Sequence, residues 1–295
     1  MRFVSYNIQY GFGKDGRNDL ARIAGEVKGA DVIAFQEVER FFKRTGMVDQ
    51  PAALAKLLPE YHWVFGPGLD MDASTTGPNG HPIQRRKQFG NMLLSKQPII
   101  SSRTHMLPKF GVASGAKQYS LQRCAVEGVI NTGAGPLRVY SIHLTHLSDE
   151  TRAPQVDRIL EIHARAPAEG GAWCGGHVNP NAGWTDESEP PMPDVAVLMG
   201  DFNFPVTSPL YEKFVGPRSP EYGRMSNRVG FVDAWVAAGH GEHEGLTCDS
   251  PNLTAGKRID FCYVSTKLAG HIKKAWIDTD AQGSDHQPIW TEFGF

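Results

Sequence analysis

A run of five apolar residues at positions 195–199 (VAVLM) constrains the fold of this chain more than any other stretch. A run this short and rich in β-branched residues is typical of a strand buried on both faces, as in the sheets of α/β proteins. The run ends at Gly200 and is followed at once by Asp201 and Asn203. Because side chains alternate along a strand, these two polar side chains can point the same way. The stretch therefore predicts a functional strand end, although Gly, Asp and Asn are also ordinary turn residues.

The amino-terminal part of the chain predicts a strand, a helix and a second strand. Residues 2–6 (RFVSY) predict a strand that ends at Asn7, and residues 31–35 (DVIAF) predict a buried strand followed closely by Glu37. Between them, apolar residues at helical spacing over residues 20–27 predict an amphipathic helix. In open α/β sheets, ligands bind just outside the carboxyl ends of the strands. Asn7 and Glu37 are therefore candidate site residues.

Two pairs of strands are predicted in the middle of the chain. Residues 91–95 and 99–106 predict one hairpin. Residues 121–130 and 137–143 predict another, joined by a Gly-Ala-Gly-Pro turn. Residues 66–88 are polar and rich in Gly and Pro, so we expect a long loop there.

The second half of the chain continues this alternation of helices and strands. Residues 151–165 predict a helix, and residues 258–265 and 287–293 predict the last two strands. Residues 166–193 show no clear periodicity, and we expect a surface loop insertion there because the next strand completes the same pattern. Since the sequence contains neither a repeat nor a linker, it predicts a single domain over residues 1–295.

Charge and composition narrow the classes of partner. The formal net charge of −2 provides no overall basic field for nucleic acid, and residues 85–87 (RRK) form the only dense cationic run. No apolar run approaches the roughly 20 residues that span a bilayer, so we expect no stable membrane insertion. The four cysteines contain no CxxC pair, and Met1 leads directly into the first predicted strand. These features predict a cytoplasmic protein without an obligate protein partner.

A set of polar residues lies at the ends of the predicted strands. They are Asn7, Glu37, His143, Asp201, Asn203, Asp260, Asp285 and His286. Carboxylate and amide oxygens suit the hard cations Mg²⁺ or Mn²⁺, and the sequence has no HExxH motif or cysteine cluster that would favour zinc. Such a cation keeps open positions for phosphate oxygens, and attack at phosphorus also needs an activated water and proton transfer. The set therefore predicts a metal-assisted hydrolase of phosphate esters.

The residue types indicate catalytic roles for five of these positions. Asp201 and Asn203 can position and deprotonate the attacking water. Asp260 can orient the imidazole of His286, which then contacts the phosphate or transfers a proton. His143 can donate to a phosphate oxygen as charge develops there. Whether Asp201 or the Asp260–His286 pair acts as the base stays open.

Seven segments carry a resemblance to a known family. They are SYNIQYG at 5–11, DVIAFQEVE at 31–39, FGNMLLSKQPI at 89–99, SIHL at 141–144, GDFN at 200–203, RIDFCYVS at 258–265 and SDHQPI at 284–289. With these segments in this order over nearly the whole chain, the sequence resembles the endonuclease/exonuclease/phosphatase superfamily, which includes deoxyribonuclease I. The resemblance implies a four-layer α/β sandwich, in which two face-to-face mixed β-sheets are flanked by helices.

The resemblance also implies which residues bind the metal and the substrate. Glu37 corresponds to the principal metal ligand, and Asn7 and Asp285 correspond to residues near the metal. We assign Asn91, which lies within the segment at 89–99, and Arg123, which could line the site, to substrate binding.

We therefore predict a Mg²⁺- or Mn²⁺-dependent phosphoesterase that prefers a diester to a monoester. The near-neutral charge favours a small or lipid-derived diester over nucleic acid. A DNA-acting nuclease is the first alternative, and it requires a basic strip beside the site, with candidates Arg85, Arg86, Lys87, Lys109 and Lys117. A catalytically silent binding module of the same fold is the second, and it requires a lost ligand or base, of which the sequence shows none.

Overall fold

The computed structural model describes residues 1–249 and 256–295, and this part of the chain contains two six-stranded mixed sheets. In spatial order, the first sheet consists of β15 (Ile272–Ile277), β16 (Ile289–Phe293), β1 (Arg2–Asn7), β2 (Val32–Arg40), β6 (Arg86–Ser95) and β3 (His62–Asp72). The second consists of β13 (Phe231–Asp233), β14 (Asp260–Ser265), β10 (Ala196–Asp201), β9 (Gly135–His143), β8 (Cys124–Thr132) and β7 (Ile99–Met106). Two short ladders pair β4 (Thr75–Thr76) with β5 (Pro82–Ile83), and β11 (Arg218–Ser219) with β12 (Gly223–Arg224).

Helices cover the outer faces of both sheets. The α-helices are α1 (Leu20–Glu26), α2 (Gln50–Leu57), α3 (Asp149–Glu169), α4 (Pro209–Val215) and α5 (Ala234–Ala237). Short 3-10 segments lie at Gln9–Gly11, Lys43–Thr45, Pro180–Ala182 and Thr266–His271. One apolar cluster joins α1 and α2 to the first sheet, and another joins α3 and α4 to the second. The layer order of helices, sheet, sheet and helices confirms the predicted α/β sandwich.

The two sheets face each other across an apolar core. Val32 and Leu93 of the first sheet and Val197 and Met199 of the second belong to one buried cluster. The apolar run at residues 195–199 forms most of β10, which lies inside its sheet and is buried at every position. Its side chains alternate between this core and the cluster beneath α3 and α4. The prediction of a strand buried on both faces is confirmed.

Strand pairing brings the polar strand ends together within each sheet. β1 runs parallel to β2, and Asn7 pairs with Gln36. β9 runs parallel to β10, and His143 pairs with Asp201. β14 is antiparallel to β10, and its first residue, Asp260, pairs with Asp201 on the other side. The register of each sheet therefore places its polar residues at one edge.

The hairpin predicted from residues 91–95 and 99–106 is wrong. β6 pairs with β2 and β3 in the first sheet, whereas β7 pairs with β8 in the second. Residues 96–98 carry the chain from one sheet to the other. The apolar pattern of two strands is the same whether a short connection closes a hairpin or changes layers, so local sequence does not distinguish the two cases. The second predicted hairpin is confirmed as β8 and β9.

The long loop predicted at residues 66–88 is largely strand. β3 and β6 continue as an antiparallel pair to Asp72 and Arg86, with an irregularity between Pro67 and Leu69. The connection between them carries the β4–β5 ladder. Most of this extension is exposed, so it lacks the alternation of apolar residues that marks a half-buried strand.

The second half of the chain also differs in extent from the prediction. α3 continues to Glu169 and so enters the segment expected as an insertion, residues 166–193. The sequence does not predict β15, because two lysines occupy exposed positions in its sequence, IKKAWI. Among the described residues, no helix is both long and apolar enough to cross a membrane.

Replacing Gly200 by alanine should destabilise the second sheet. A Cβ atom at this position would lie 1.9 Å from the carbonyl oxygen of Ile142 on the adjacent strand β9. The two central strands would have to move apart, and such overpacking costs about 3 kcal/mol. We expect a loss of this order in the unfolding free energy, measured by urea denaturation.

The matched control is Gly25→Ala in α1. A Cβ atom there would meet no other atom within 4 Å. Alanine has the higher helix propensity, so the unfolding free energy should stay the same or rise by up to about 1 kcal/mol. An unfolding free energy of Gly200→Ala equal to that of the unsubstituted chain would contradict the close approach of β9 and β10.

Candidate active site

The polar residues at the strand ends form one connected cluster that joins the two sheets. The side chain of Asn7 donates to Asp201 across the sheets, with 2.9 Å between Nδ2 and Oδ2. The same Nδ2 lies 3.4 Å from Oε1 of Glu37. Nε2 of His143 lies 3.3 Å from Oδ2 of Asp201. Residues from four strands therefore belong to a single site.

Glu37 reaches the cluster because β2 has an irregular register. The pairing of β2 with β6 shifts between Phe35 and Val38, and Glu37 has a φ of 59°, in the left-handed region. Asn203, just beyond β10, has a φ of 56°. This conformation costs energy for residues with a side chain, and it is common next to active sites, where it redirects side chains. Two of the predicted site residues therefore lie on strained backbone.

Asp201 lies at the centre of the site and is 1% exposed. Its Oδ1 accepts a hydrogen bond from the backbone N–H of Asn203 at 2.9 Å, while Oδ2 accepts from Asn7. Burial, followed by the nearby carboxylate of Asp260, raises the pKa of Asp201 to about 7. A carboxylate that ionises near neutral pH is suited to accept a proton from water.

Asp260 and His286 form a buried ion pair beside Asp201. Nδ1 of His286 lies 2.8 Å from Oδ2 of Asp260, and its Nε2 lies 3.8 Å from Oδ2 of Asp201. Burial alone lowers the pKa of His286, but the carboxylates of Asp260 and Asp201 raise it well above its usual range. His286 is therefore an imidazolium at neutral pH, held by Asp260 at one nitrogen and facing the site with the other.

Arg123 lies against His143 at the same edge. Its Nη1 is 2.8 Å from Nδ1 of His143, and its Nη2 is 3.3 Å from Nδ1 of the exposed His146. Burial, and then repulsion from Arg123, lowers the pKa of His143 well below its usual range, so this ring is neutral at pH 7. The same Nη1 also lies 3.0 Å from Nε2 of His143, and this Nε2 lies 3.3 Å from Oδ2 of Asp201, so either ring nitrogen of the neutral imidazole can accept from Arg123.

Three side chains at the site are spaced closely enough to hold a cation, but one of them, His286, is already protonated. Asp201, Asp260 and His286 offer ligand atoms within 4.8 Å of one another. However, Nδ1 of His286 is used in the hydrogen bond to Asp260, and the imidazolium form has no free nitrogen lone pair. A cation at this cluster would therefore have to displace the proton of His286 and compete with the hydrogen bond to Asp260.

Glu37 and Asp285 fit a hard cation better. Both line the cleft over the site, and they offer carboxylate oxygens, the ligands that Mg²⁺ prefers. Burial raises the pKa of Glu37, and the charge of Asp285 adds to this shift, so a cation beside both would offset the cost of their charges. The amide oxygen of Asn7 accepts from the backbone N–H of Gln9 at 3.0 Å. That oxygen has a second lone pair available for a metal ion, and coordination by Asn7 stays a prediction.

Two predicted site residues use their amide groups to hold the framework. Nδ2 of Asn91 donates to the backbone carbonyls of Cys124 at 2.9 Å and Ser141 at 3.1 Å, which ties β6 to the second sheet. Nδ2 of Asn203 donates to the carbonyl of Leu144 at 3.1 Å. The observed contacts of Asn91 position the two sheets beneath the site, and its contact with substrate stays a prediction.

A cleft of about 360 Å³ opens over these groups. Arg123, Glu37, Asp285 and His286 line its polar side. Its remaining walls are Gln9, Tyr10, Phe42, Arg44, Leu69, Phe89, Tyr119 and Leu121. Sequence reasoning misses most of these walls because they carry no metal-ligating or acid–base group that would single them out. The aromatic and basic run at residues 41–44 (FFKR) is a signal that could have indicated two of them, Phe42 and Arg44. A larger cavity of about 470 Å³ beside α3 and α4 contains none of the predicted site residues.

Comparison with known proteins identifies the family. The protein-family model described as Endonuclease/Exonuclease/phosphatase family matches residues 4–286 of this chain. The endonuclease/exonuclease/phosphatase from Bacteroides vulgatus is similar in structure, with 20% identity, coverage of 98% of this chain and 97% of that chain, and a TM-score of 0.65. The endonuclease/exonuclease/phosphatase from Beutenbergia cavernae has 20% identity, coverage of 100% and 72%, and a TM-score of 0.64.

A third similar structure is the mannosyl-6-phosphatase of Bacteroides thetaiotaomicron, with 17% identity, coverage of 100% of both chains and a TM-score of 0.60. At these identities the solved structures establish the fold. A search among curated proteins gives no match. The family match over nearly the whole chain agrees with the seven segments and with the layered fold, so this chain belongs to the endonuclease/exonuclease/phosphatase family.

Proposed function

We propose that this protein is a phosphoesterase that depends on Mg²⁺ or Mn²⁺ and hydrolyses a phosphodiester by in-line attack of an activated water. The central observation is the environment of Asp201, a buried carboxylate with a pKa near 7 that lies between a neutral His143 and a protonated His286. Glu37 and Asp285 lie in the same cleft as His286. Hydrolysis at phosphorus needs water activation, stabilisation of charge and a metal site. The cluster offers Asp201 for water activation, Arg123 and His143 for stabilisation of charge, and Glu37 and Asp285 for the metal.

Glu37 is the proposed principal metal ligand, with Asp285 beside it and Asn7 at the margin of the site. A site with few carboxylates suits Mg²⁺, which keeps several waters and binds substrate phosphate oxygens. When bound, the cation supplies charge neutralisation at the phosphate and lowers the pKa of a bound water. The bulge in β2 supports this role, since it aims Glu37 into the cleft at an energetic cost.

Asp201 is the proposed base that orients and deprotonates the attacking water. Hydrogen bonds from Asn7 and from the backbone of Asn203 fix the positions of its two oxygens. His286 is already protonated and cannot accept a second proton, so the Asp260–His286 pair is better suited to donate. This distribution of protons favours Asp201 as the base and His286 as the donor to a phosphate oxygen or to the leaving group.

Arg123 and His143 are the proposed contacts of the developing negative charge. Arg123 lines the cleft, and a fixed cation in a buried site interacts strongly with charge that builds up on phosphate oxygens. His143 is neutral, so its ring N–H can donate a hydrogen bond without bringing a second positive charge next to Arg123.

The shape of the cleft supports a diester with small or planar substituents. Its walls include four aromatic rings and two leucines, which can cover the ester groups on both sides of phosphorus. One of the similar structures is named a mannosyl-6-phosphatase, so a monoester substrate must be tested beside the diester. We propose a small or lipid-derived phosphodiester as the substrate class.

A DNA-acting nuclease is the second candidate, because part of the predicted basic strip lies beside the cleft. Lys87 lies 4.5 Å from the centroid of the Phe42 ring, and Phe42 lines the cleft. Arg86, in contrast, is engaged in an ion pair with Asp70 at 2.8 Å. Arg85 lies 5.6 Å from the centroid of the ring of Phe41, the neighbour of Phe42. Arg85 and Lys87 thus support the nuclease, whereas the net charge of −2 supports the small diester. A catalytically silent binding module would need a lost metal ligand or base, and each predicted carboxylate and histidine is present.

We further propose that the chain is a single-domain cytoplasmic protein. All four cysteines, Cys124, Cys174, Cys248 and Cys262, are free thiols, as is usual in a reducing compartment. The core between the two sheets contains residues from the first strand to the last, which supports one domain with an insertion at residues 166–193.

Hydrolysis of bis-p-nitrophenyl phosphate should require a divalent metal. We expect Mg²⁺-dependent release of p-nitrophenol that EDTA abolishes. Glu37→Gln should lower kcat/KM by about 100-fold or more, because the variant removes the charge of the principal proposed ligand. Parallel assays with p-nitrophenyl phosphate and plasmid DNA compare monoesterase and nuclease activity with diesterase activity.

The control for this assay is Glu60→Gln, the same change at an exposed residue just before β3. It should retain full activity. Diester hydrolysis that persists in EDTA, or that is undiminished in Glu37→Gln, would contradict a metal-dependent mechanism. DNA cleavage more efficient than diester hydrolysis would favour the nuclease.

Asp201→Asn should lower kcat far more than it changes KM. Asparagine keeps the shape of the side chain but cannot take a proton from water, so we expect a loss of about 10²- to 10⁴-fold in kcat. Asp157→Asn makes the same change in an exposed ion pair with Lys213 and should leave kcat unaltered. A kcat of Asp201→Asn within a few-fold of the unsubstituted chain would exclude Asp201 as the base.

A further inference from the structure

We propose that an open groove next to the catalytic cleft is a subsite for a second phosphate group of the substrate. The inference rests on the proposed phosphoesterase function and narrows its substrate class. The groove has a volume of about 450 Å³, and Phe42 and Arg44 line both the groove and the cleft. A substrate with its scissile phosphate in the cleft can therefore extend over these two side chains into the groove.

The wall between cleft and groove is a closed turn at residues 41–48. A hydrogen bond from the backbone N–H of Phe41 to the carbonyl of Val48, at 2.9 Å, closes its base. An ion pair between Arg40 and Asp49, at 2.8 Å, joins the two residues that flank the turn. These contacts hold both ends of the turn in place, so Phe42 and Arg44 extend from a fixed backbone.

Arg44 is a cation held in a defined position on this wall. Its Nε donates to the carboxylate of Glu39 at 3.0 Å, and the Glu39 side chain is fully buried. The guanidinium group lies 3.7 Å from the centroid of the Tyr10 ring and 4.8 Å from that of the Phe42 ring. Within the described chain its Nη1 has no hydrogen-bond partner. A preorganised guanidinium with a spare donor is well suited to bind an anionic oxygen.

Two lysines add positive charge to the groove. Lys43 and Lys87 both line it, and Nζ of Lys87 lies 4.5 Å from the centroid of the Phe42 ring. Neither forms an ion pair with a described residue. The one carboxylate in the lining, Asp72, accepts two hydrogen bonds from Ser74. The groove thus presents several cations, and a phosphate can accept hydrogen bonds from more than one of them.

The Phe42 ring lies close to a cation of the cleft and to a cation of the groove, since Arg44 and Lys87 both lie within 5 Å of its centroid. A substrate whose scissile phosphate lies near Arg44 can therefore pass the edge of this ring and place a second phosphate near Lys87. A diester with one phosphate would leave the groove unused. The geometry therefore favours a diester that carries a second phosphate one substituent away from the scissile one.

Titration calorimetry with matched ligands tests this subsite in the full-length chain. Thymidine 3′,5′-bisphosphate should bind about tenfold more tightly than thymidine 5′-monophosphate, because it adds a charge-assisted contact. Glycerol 1,3-bisphosphate and glycerol 1-phosphate form a second pair that lacks a base. A preference in both pairs indicates recognition of the second phosphate alone, and a preference confined to the thymidine pair indicates a nucleotide-like substrate.

Lys87→Gln and Arg44→Gln should each reduce the tenfold preference to about twofold or less. Lys28→Gln, the same change at an exposed lysine that precedes β2, should keep the preference. Lys87 forms no ion pair with residues 1–249 or 256–295, so its variant tests the subsite even if the loss of the Arg44–Glu39 pair unfolds the other.

Equal affinity for both members of each ligand pair would overturn the subsite, as would a preference that survives Lys87→Gln. Binding is measured independently of catalysis. A chain that shows the expected preference but does not hydrolyse bis-p-nitrophenyl phosphate would contradict the phosphoesterase proposal alone.

Discussion

The structure depends on the burial of one carboxylate, that of Asp201, where the two sheets meet. Removing a carboxylate from water costs several kcal/mol unless charged or polar partners compensate for it. Those partners come from both sheets, because Asn7 belongs to the first, and His143 and the Asn203 backbone belong to the second. The hydrogen bond from Asn7 crosses between the sheets, and it forms only if they are stacked so that these strand ends lie at the same level. This bond therefore helps to hold the two sheets together and to position the proposed base.

The polar cluster around Asp201 and the walls of the cleft lie on different parts of this fold. The polar groups around Asp201 lie at strand ends, where the sheet register and the apolar core hold them. The walls of the cleft lie on the 41–48 turn, on the loop that carries Tyr119 and on the β3–β6 extension. Substitutions in these walls can change which phosphate ester fits without moving Asp201. A groove on the outer side of Phe42 is consistent with this separation, since it adds a contact for substrate at a distance from the proposed base.

The sequence predicted the layers and most of the site because the relevant signals are local. The run at residues 195–199 is short, β-branched and followed by Gly200 and Asp201, and it became the buried strand β10. The failures concern pairing. Residues 96–98 change sheets instead of closing a hairpin, and residues 66–72 (GPGLDMD) continue a strand although they are rich in Gly, Pro and Asp. Neither outcome is encoded in apolar periodicity, since a connection of three residues can join strands within one layer or between two.

By itself, the sequence determined which residues end the strands and which chemistry they can support, because apolar periodicity, strand breakers and side-chain type are properties of neighbouring residues. Only the tertiary structure decided that His286 is protonated and His143 neutral, since burial and the charges of residues distant in sequence determine both pKa values. It alone also decided that a bulge turns Glu37 into the cleft and that Arg44 lies between Tyr10 and Phe42. These features depend on strand register and layer order, which arise from contacts between segments far apart in the chain.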